Sequence, residues 1–265
     1  MAGGHALKIV VAVKQVPDSA AKVSVENGEV SWGDAPLVIN PWDEFAVEAA
    51  LLLTEEHGGD VVAVSLGDED SKEALKHALA MGCSEAILIS DPSLQNADTQ
   101  AVAHALAAAI QKVGDVDMAV FGKQAIDGDN AVTPVQVARV LGWPALTLTS
   151  KISELDADAK TLKVERSIEE GRQIVEGKLP AVMSVVKDFG EPRYPSFMGI
   201  RKASKAEIPV WSAADLGADV PAAVVSWPEM SNPQAREVSN EIIEGGSPEE
   251  IAATLADKII EEGVV

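Results

Sequence analysis

Apolar runs of strand length alternate with longer segments of helical periodicity in the first half of the chain. The pattern predicts four strands, at Leu7 to Val13, Val61 to Leu66, Ala86 to Ser90 and Val116 to Phe121. Helix start signals lie between them, at Asn40-Pro41, Ser71 and Asp98. Strands and helices in this alternation form a mostly parallel sheet with helices on both faces. We therefore predict a doubly wound α/β fold.

The pattern changes in the second half of the chain. Strand-like segments separated by short turns predict an antiparallel meander added to the sheet, at Ala145 to Ile152, Thr161 to Ile168, Arg172 to Glu176 and Ala181 to Val186. Residues 188–209 show no clear period, so we expect a functional loop there. A capped amphipathic helix from Ser247 to Ile260 needs another surface to pack on. We predict a nucleotide-binding domain at 1–225, and at 226–265 a C-terminal arm that packs on a partner subunit.

Composition narrows the classes of partner and compartment. The 265 residues are 47% hydrophobic, enough for a large core, and no run of about 18 apolar residues predicts a membrane span. A net charge of −21 opposes binding to nucleic acid or to anionic membranes. The single cysteine, Cys83, and the lack of a signal-peptide pattern suit a reducing compartment. We expect the cytoplasm, or the mitochondrial matrix in a eukaryote.

The most informative motif is a polar, glycine-flanked loop between the strand ending at Phe121 and a helix signal at Thr133-Pro134. Its backbone N–H groups, its lysine and the helix N-terminus can cradle an anion. Loops after the other parallel strands converge on the same crevice. The predicted nucleotide-binding residues are Ala12, Asn40, Pro41, Trp42, Asp43, Leu66, Gly122, Lys123, Gln124, Ala125, Ile126, Asp127, Gly128, Asp129, Asn130, Ala131, Val132 and Thr133.

Structural roles compete with ligand binding at several of these positions. Asp127 and Asp129 would repel a phosphate beside them, so they either cap the turn at Gly128 or hydrogen-bond a ribose. A capping box explains Asn40 and Asp43 without any ligand.

Catalytic constellations are lacking in the sequence. The four histidines, His5, His57, His77 and His104, have no carboxylate or cysteine at metal-ligand spacing, so we expect no metal site. The sequence has no Walker A motif, no G-x-G-x-x-G and no G-x-S-x-G, and Cys83 is expected to be a small buried side chain. We predict no catalytic residues.

A cationic stretch at 187–205 departs from the acidic background. It carries five basic residues against two acidic ones, and is either a docking surface or an ordinary charged loop. The five basic residues are Lys187, Arg193, Arg201, Lys202 and Lys205.

Several short strings, in order along the chain, resemble the β subunit of electron transfer flavoproteins. They are Val11-Ala12-Val13-Lys14, Asn40-Pro41, Ala80-Met81-Gly82, Gly122-Lys123-Gln124-Ala125-Ile126-Asp127, Lys163-Val164-Glu165-Arg166 and Glu191-Pro192-Arg193-Tyr194. The resemblance implies an adenine nucleotide α-hydrolase-like fold and a heterodimer with an α subunit that carries most of the redox FAD site. It also implies electron transfer from flavin dehydrogenases, such as acyl-CoA dehydrogenase, to a quinone oxidoreductase or similar acceptor.

The resemblance implies AMP in the crevice, or a second FAD in electron-bifurcating members. Asp127-Gly128-Asp129 resembles the bifurcating type, whereas Val132-Thr133-Pro134 departs from its Q-V-G-P; we expect AMP. The resemblance also implies a recognition loop with Phe197 as apolar anchor beside Arg193, Tyr194, Arg201 and Lys202, while Glu165 and Arg166 either pair across the subunit interface or form an ordinary surface ion pair. The rival from another class is a stand-alone adenine-nucleotide-binding stress-type protein.

Overall fold

A computed structural model of the chain describes residues 5–217, 219–227, 229–234 and 240–263. The described residues form two compact units that divide between Glu229 and Met230. The strands are β1 Leu7–Ala12, β2 Gln15–Pro17, β3 Ser24–Glu26, β4 Glu29–Ser31, β5 Leu37–Ile39, β6 Gly59–Leu66, β7 Glu85–Ile89, β8 Met118–Gly122, β9 Ala145–Asp156, β10 Thr161–Ile168, β11 Gly171–Lys178, β12 Ala181–Val185 and β13 Val210–Trp211. The helices are α1 Pro41–His57, α2 Lys72–Met81, α3 Thr99–Val113, α4 Thr133–Leu141, α5 Phe197–Ala203, α6 Ala213–Leu216 and α7 Pro248–Glu261.

The first unit is built on a nine-stranded sheet, counted over the described residues, in the order β11-β10-β9-β12-β8-β1-β6-β7-β13. All neighbouring strands from β9 to β13 in this order run parallel, and β10 and β11 are antiparallel to their neighbours. The chain winds from β1 to β6 and β7 in one direction, then returns to place β8 on the other side of β1. The switch point of the sheet therefore lies between β1 and β8, where doubly wound folds bind ligands.

Two hydrophobic cores sandwich the sheet. Ile9 and Val11 of β1 face one core with residues of α1 and α2, and Val10 faces the other with residues of α3 and α4. The alternation follows from the two-residue period of a strand, and it explains why β1 is apolar at every position except Lys8. The predicted doubly wound, mostly parallel sheet is confirmed.

Two segments differ from the sequence prediction. β12, predicted as part of the antiparallel meander, instead pairs parallel with β8 and β9, so the meander consists of β9, β10 and β11. Strand propensity cannot reveal the direction of pairing, because parallel and antiparallel strands share one residue period. Within the predicted loop at 188–209, residues Phe197–Ala203 form helix α5, capped by the Ser196 hydroxyl, which accepts from the backbone N–H of Gly199 at 2.9 Å.

The second unit contains α7, where the sequence predicts a helix. Ser247 and Glu250 form a capping box at its start, and Lys258 pairs with Glu241 at 2.8 Å. Leu255 and Ile260 of α7 are exposed. In the parts of the chain that the structure describes, no helix is both long enough and apolar enough to cross a membrane.

Candidate functional site

A cleft of about 290 Å³ opens at the carboxyl ends of β1, β6 and β8, beside the N-terminus of α4. Its position at the switch point of the sheet follows from the strand order. The predicted residues that line it are Ala12, Asp43, Leu66, Gly122, Gln124, Ala125, Asp127, Gly128, Asp129, Asn130, Ala131 and Thr133.

The loop between β8 and α4 is held in an unusual conformation. Its first turn closes on the carbonyl of Ala125, which accepts from the N–H groups of Gly128 at 3.3 Å and Asp129 at 2.8 Å. Asp129 and Ala131 both have positive φ angles, 47° and 54°. Such angles in residues other than glycine cost energy and concentrate at ligand sites, where surrounding contacts hold them.

Asn40 ties this loop to the start of α1. Its fully buried side chain donates from Nδ2 to the carbonyl of Gln124 at 2.9 Å and accepts from the N–H of Ile126 at 3.2 Å. The capping box predicted for Asn40 and Asp43 is wrong, because no side chain caps α1. The carboxamide of Asn40 instead hydrogen-bonds backbone groups of the loop. The helical periodicity of the sequence does not reveal such contacts.

Asp43 joins the start of α1 to the end of β1. Its buried carboxylate accepts from the N–H of Lys14 at 2.8 Å. Burial raises the pKa of Asp43 to about 7, against the opposing effect of hydrogen bonds from the backbone of Lys14, the side chain of Asn40 and the backbone of Gly122. The close approach of the start of α1 to the end of β8 depends on Gly122, where a Cβ atom would lie 2.5 Å from Asp43 Oδ1.

Charge in the cleft centres on one ion pair. Lys14 Nζ donates to Asp127 Oδ2 at 2.5 Å, and Asp127 Oδ1 is buried without a hydrogen-bond partner among the described residues. Asp129 accepts from Gln124 Nε2 at 2.6 Å. A buried acceptor without a partner is costly unless a donor fills its place. The cleft therefore offers an acceptor site at Asp127 and a nearby cation.

The N-terminus of α4 faces the same cleft. Its N-cap is Val132, whose side chain cannot accept a hydrogen bond, and Thr133 is the first helical residue. Thr133 and Pro134 line the cleft. A helix start without a side-chain cap leaves N–H groups for an anion, and the helix dipole favours negative charge there.

Six predicted nucleotide-binding residues lie beside the cleft without lining it: Asn40, Pro41, Trp42, Lys123, Ile126 and Val132. Pro41 begins α1, and Lys123 Nζ lies 5.3 Å from the centroid of the Trp42 ring. Among these six, Asn40 supports the loop of the cleft through its bonds to Gln124 and Ile126.

The structure adds lining residues that the predicted set lacks: Val13, Lys14, Ala97, Thr99, Val102, Leu106, Phe121 and Pro134. Thr99, Val102 and Leu106 are spaced by three and four residues on α3, so they share one helical face. That spacing is visible in the sequence. Which face of α3 meets the cleft depends on the packing of the sheet.

The segment before and within α5 exposes large apolar side chains. Tyr194 is 95% and Phe197 80% exposed, so neither side chain is part of the hydrophobic core. Arg201 and Lys202 are also exposed. We name residues 193–203 the docking segment, after the role that the sequence predicts for them.

Arg193 differs from the other cations of the docking segment. Its guanidinium pairs with Glu48 at 2.7 Å and with Glu55 at 2.5 Å, both on α1. This cation is therefore bound within its own chain.

Glu165 and Arg166 lie on β10 and bind within the meander. Arg166 donates from Nε to the carbonyl of Thr147 at 2.6 Å and from Nη1 to Gln173 Oε1 at 3.0 Å. Glu165 lies 3.6 Å from the charged nitrogens of Lys151 and Arg172. Glu165 therefore forms two ion pairs near the edge of the sheet, whereas Arg166 hydrogen-bonds the uncharged Thr147 and Gln173.

Comparison with known proteins gives a consistent class. The profile of the electron transfer flavoprotein domain matches residues 33–216. The electron transfer flavoprotein subunit beta of Clostridium acetobutylicum is 39% identical over 80% of this chain and 81% of its own. Protein FixA of Azorhizobium caulinodans is 36% identical over 80% of this chain and 78% of its own. The caffeyl-CoA reductase-Etf complex subunit CarD of Acetobacterium woodii is 34% identical over 98% of this chain and all of its own.

A mostly parallel sheet with a cleft at its switch point defines a doubly wound α/β protein. Within that class, the chain belongs to the electron transfer flavoprotein family. It is a β-type subunit of that family with a role in electron transfer, as the resemblance in the sequence predicts.

Proposed function

We propose that the chain is the β subunit of a heterodimeric electron transfer flavoprotein that holds AMP as a structural ligand. It accepts electrons from flavin dehydrogenases, such as acyl-CoA dehydrogenase, and passes them to a quinone oxidoreductase or similar acceptor. The redox FAD lies mainly on the α subunit and is shared at the interface. The observation that carries the proposal is Oδ1 of Asp127 in the switch-point cleft, which is buried, has no hydrogen-bond partner among the described residues and fits a ribose hydroxyl.

The size and lining of the cleft support a mononucleotide. Its volume of about 290 Å³ lies near the lower end of the range for small-molecule sites, roughly 300–1,000 Å³. We propose that adenine packs on Leu66, Val102 and Leu106, and that the phosphate meets the N–H groups at the start of α4. Lys14 would offset the phosphate charge beside the carboxylates.

A second FAD in the same cleft is the alternative. Two observations favour it: the Asp127-Gly128-Asp129 start of the loop, and similarity over almost the whole chain to a subunit of the caffeyl-CoA reductase-Etf complex. A second flavin needs room beyond the cleft described above, either between the subunits or through movement of the loop. The chain would then belong to a bifurcating complex.

The docking segment is proposed as the contact with the donor dehydrogenase. The exposed ring of Phe197 supplies apolar area for burial in a partner pocket, with Tyr194 beside it. Arg201 and Lys202 supply positive charge that speeds encounter with an acidic surface. Glu165 and Arg166 and the C-terminal arm at 226–265 are proposed to contact the α subunit. We propose the cytoplasm, or the mitochondrial matrix in a eukaryote, as the compartment.

The test is to purify the chain as a complex with its co-expressed partner subunit, release bound ligands with acid and identify them by mass spectrometry. One FAD and one AMP per heterodimer is the expected result. Two FAD per heterodimer would establish the alternative. A colourless monomer with an empty cleft would overturn both and return the stand-alone nucleotide-binding protein as the better description.

A further inference from the structure

Arg193 occupies a position where a cation could either meet a partner protein or hold its own chain in place. We propose that Arg193 is a positioning residue: it locks the docking segment onto α1 and makes no contact with the donor dehydrogenase. The proposal rests on the proposed function in one respect, namely that residues 193–203 dock a partner.

The geometry around Arg193 leaves little of its guanidinium for a partner. Glu48 accepts from Nε at 2.7 Å and from Nη2 at 3.0 Å, in a bidentate pair. Glu55 accepts from Nη1 at 2.5 Å and from Nη2 at 3.1 Å. The backbone N–H of Arg193 also donates to Glu48, at 3.1 Å. Charge-assisted bonds of this kind are the strongest that side chains make, and the backbone bond ties the main chain itself to α1.

Burial makes the ion pair between Arg193 and Glu48 costly to break. The Glu48 side chain is 8% exposed and that of Arg193 is 32% exposed. Removing the guanidinium leaves a buried carboxylate without its counter-charge, which is far more unfavourable than losing a surface pair. Hydrogen bonds to Glu55, and to a smaller extent to Glu48, raise the pKa of Arg193 above its usual value, as expected for a cation held by two anions.

A second anchor lies at the other end of the docking segment. A Cβ atom at Gly199 would lie 2.3 Å from the carbonyl oxygen of Ala80, so α5 approaches α2 at backbone distance. Ala203, the last residue of α5, is buried. Tyr194 and Phe197 lie between Arg193 and Gly199 in the sequence, and both side chains remain exposed.

Two anchors with exposed apolar side chains between them describe a preorganised binding surface. A segment that is already ordered loses less conformational entropy on binding, and this lowers the cost of association. Arg193 therefore acts on docking through the order of the segment. A rim cation would act through the rate of encounter and through salt dependence.

The experiment compares three variants in the purified heterodimer: Arg193→Lys, Glu48→Gln and the double variant. Lysine keeps the charge but lacks the planar fork that binds two carboxylates. The matched control is Glu73→Gln, which removes the exposed pair between Glu73 and Lys76 on α2. Hydrogen exchange is followed at the helical amides of Ile200 and Ser204, which donate to Ser196 and Ile200 at 2.9 Å.

We expect exchange at these amides to be at least tenfold faster in all three variants and unchanged in the control. With butyryl-CoA-reduced acyl-CoA dehydrogenase as donor, we expect KM to rise at least fivefold with kcat and AMP content unchanged. The double variant should be no worse than the worse single variant, because the two residues act as one unit.

Exchange at wild-type rates in Arg193→Lys and Glu48→Gln would overturn the lock. A raised KM in Arg193→Lys together with a normal KM in Glu48→Gln would also overturn it, because Arg193 would then contact the donor directly. Faster exchange with a normal KM would leave the lock standing and overturn the docking role of the segment.

Discussion

Replacing Gly122 by alanine is the sharpest test of how the cleft is built. The added Cβ would lie 2.5 Å from Asp43 Oδ1, 2.6 Å from the carbonyl carbon of Trp42 and 2.7 Å from its oxygen. Two of these atoms belong to the backbone of α1, so no side-chain rotation can relieve the overlap. The contact with Asp43 must widen from 2.5 to at least 3.4 Å before it becomes ordinary.

This displacement moves the start of α1 away from β8. Asn40 then loses the geometry of its bonds to Gln124 and Ile126, and the nucleotide loop loses its tether. Overpacking of this kind costs about 1–3 kcal/mol. If that cost falls on the bound conformation of the loop, AMP binding weakens by roughly 5- to 140-fold, since about 1.4 kcal/mol is a factor of ten.

Gly128→Ala is the matched control in the same loop. The nearest atom to its added Cβ is Asn130 Nδ2, at 3.9 Å, and Gly128 has no positive φ angle that would strain alanine. We expect AMP affinity within about twofold of wild type for this variant, and a weaker affinity only for Gly122→Ala. Isothermal titration of AMP into the nucleotide-depleted heterodimer measures both. Equal affinities for the two variants would refute the packing argument.

Three further predictions address charge and docking. Burial raises the pKa of Asp43 from 3.8 to about 7, so between these pH values the folded state holds a proton that the unfolded state releases. The free energy of unfolding should therefore fall as the pH rises from about 4 to 7, and it should level off above pH 7. Asp43→Asn should remove this fall in the free energy of unfolding, which amounts to about 4 kcal/mol at most and is measured by urea titrations at several pH values. An unchanged dependence on pH in the variant would contradict the role of Asp43. Lys14→Gln should weaken AMP binding at least fivefold at low salt and less at high salt, because it removes the cation beside Asp127; equal losses at both salt concentrations would argue against a charge effect. Phe197→Ala should raise KM for the donor dehydrogenase while AMP content stays constant, and a normal rate of electron acceptance would remove the anchor role.

The sequence predicted the fold class because the signals are local and repeated. β1 is apolar except for Lys8, and the part of β6 from Val61 to Leu66 is apolar except for Ser65. Pairing direction is not local: β12 has the same pattern as an antiparallel strand, yet lies parallel between β8 and β9. Only the closure of the whole sheet decides where such a strand inserts.

The same division applies to the cleft and to the docking segment. The sequence by itself determined which loops follow parallel strands, and therefore that Ala12, Leu66 and Gly122 meet at one edge. Tertiary structure alone decided the partners of the polar side chains. The side chain of Asn40 binds the loop instead of the first turn of α1, and Arg193 binds Glu48, 145 residues away. Hydrogen bonds and ion pairs act over about 3 Å in space, and sequence separation carries no information about them once the chain has folded.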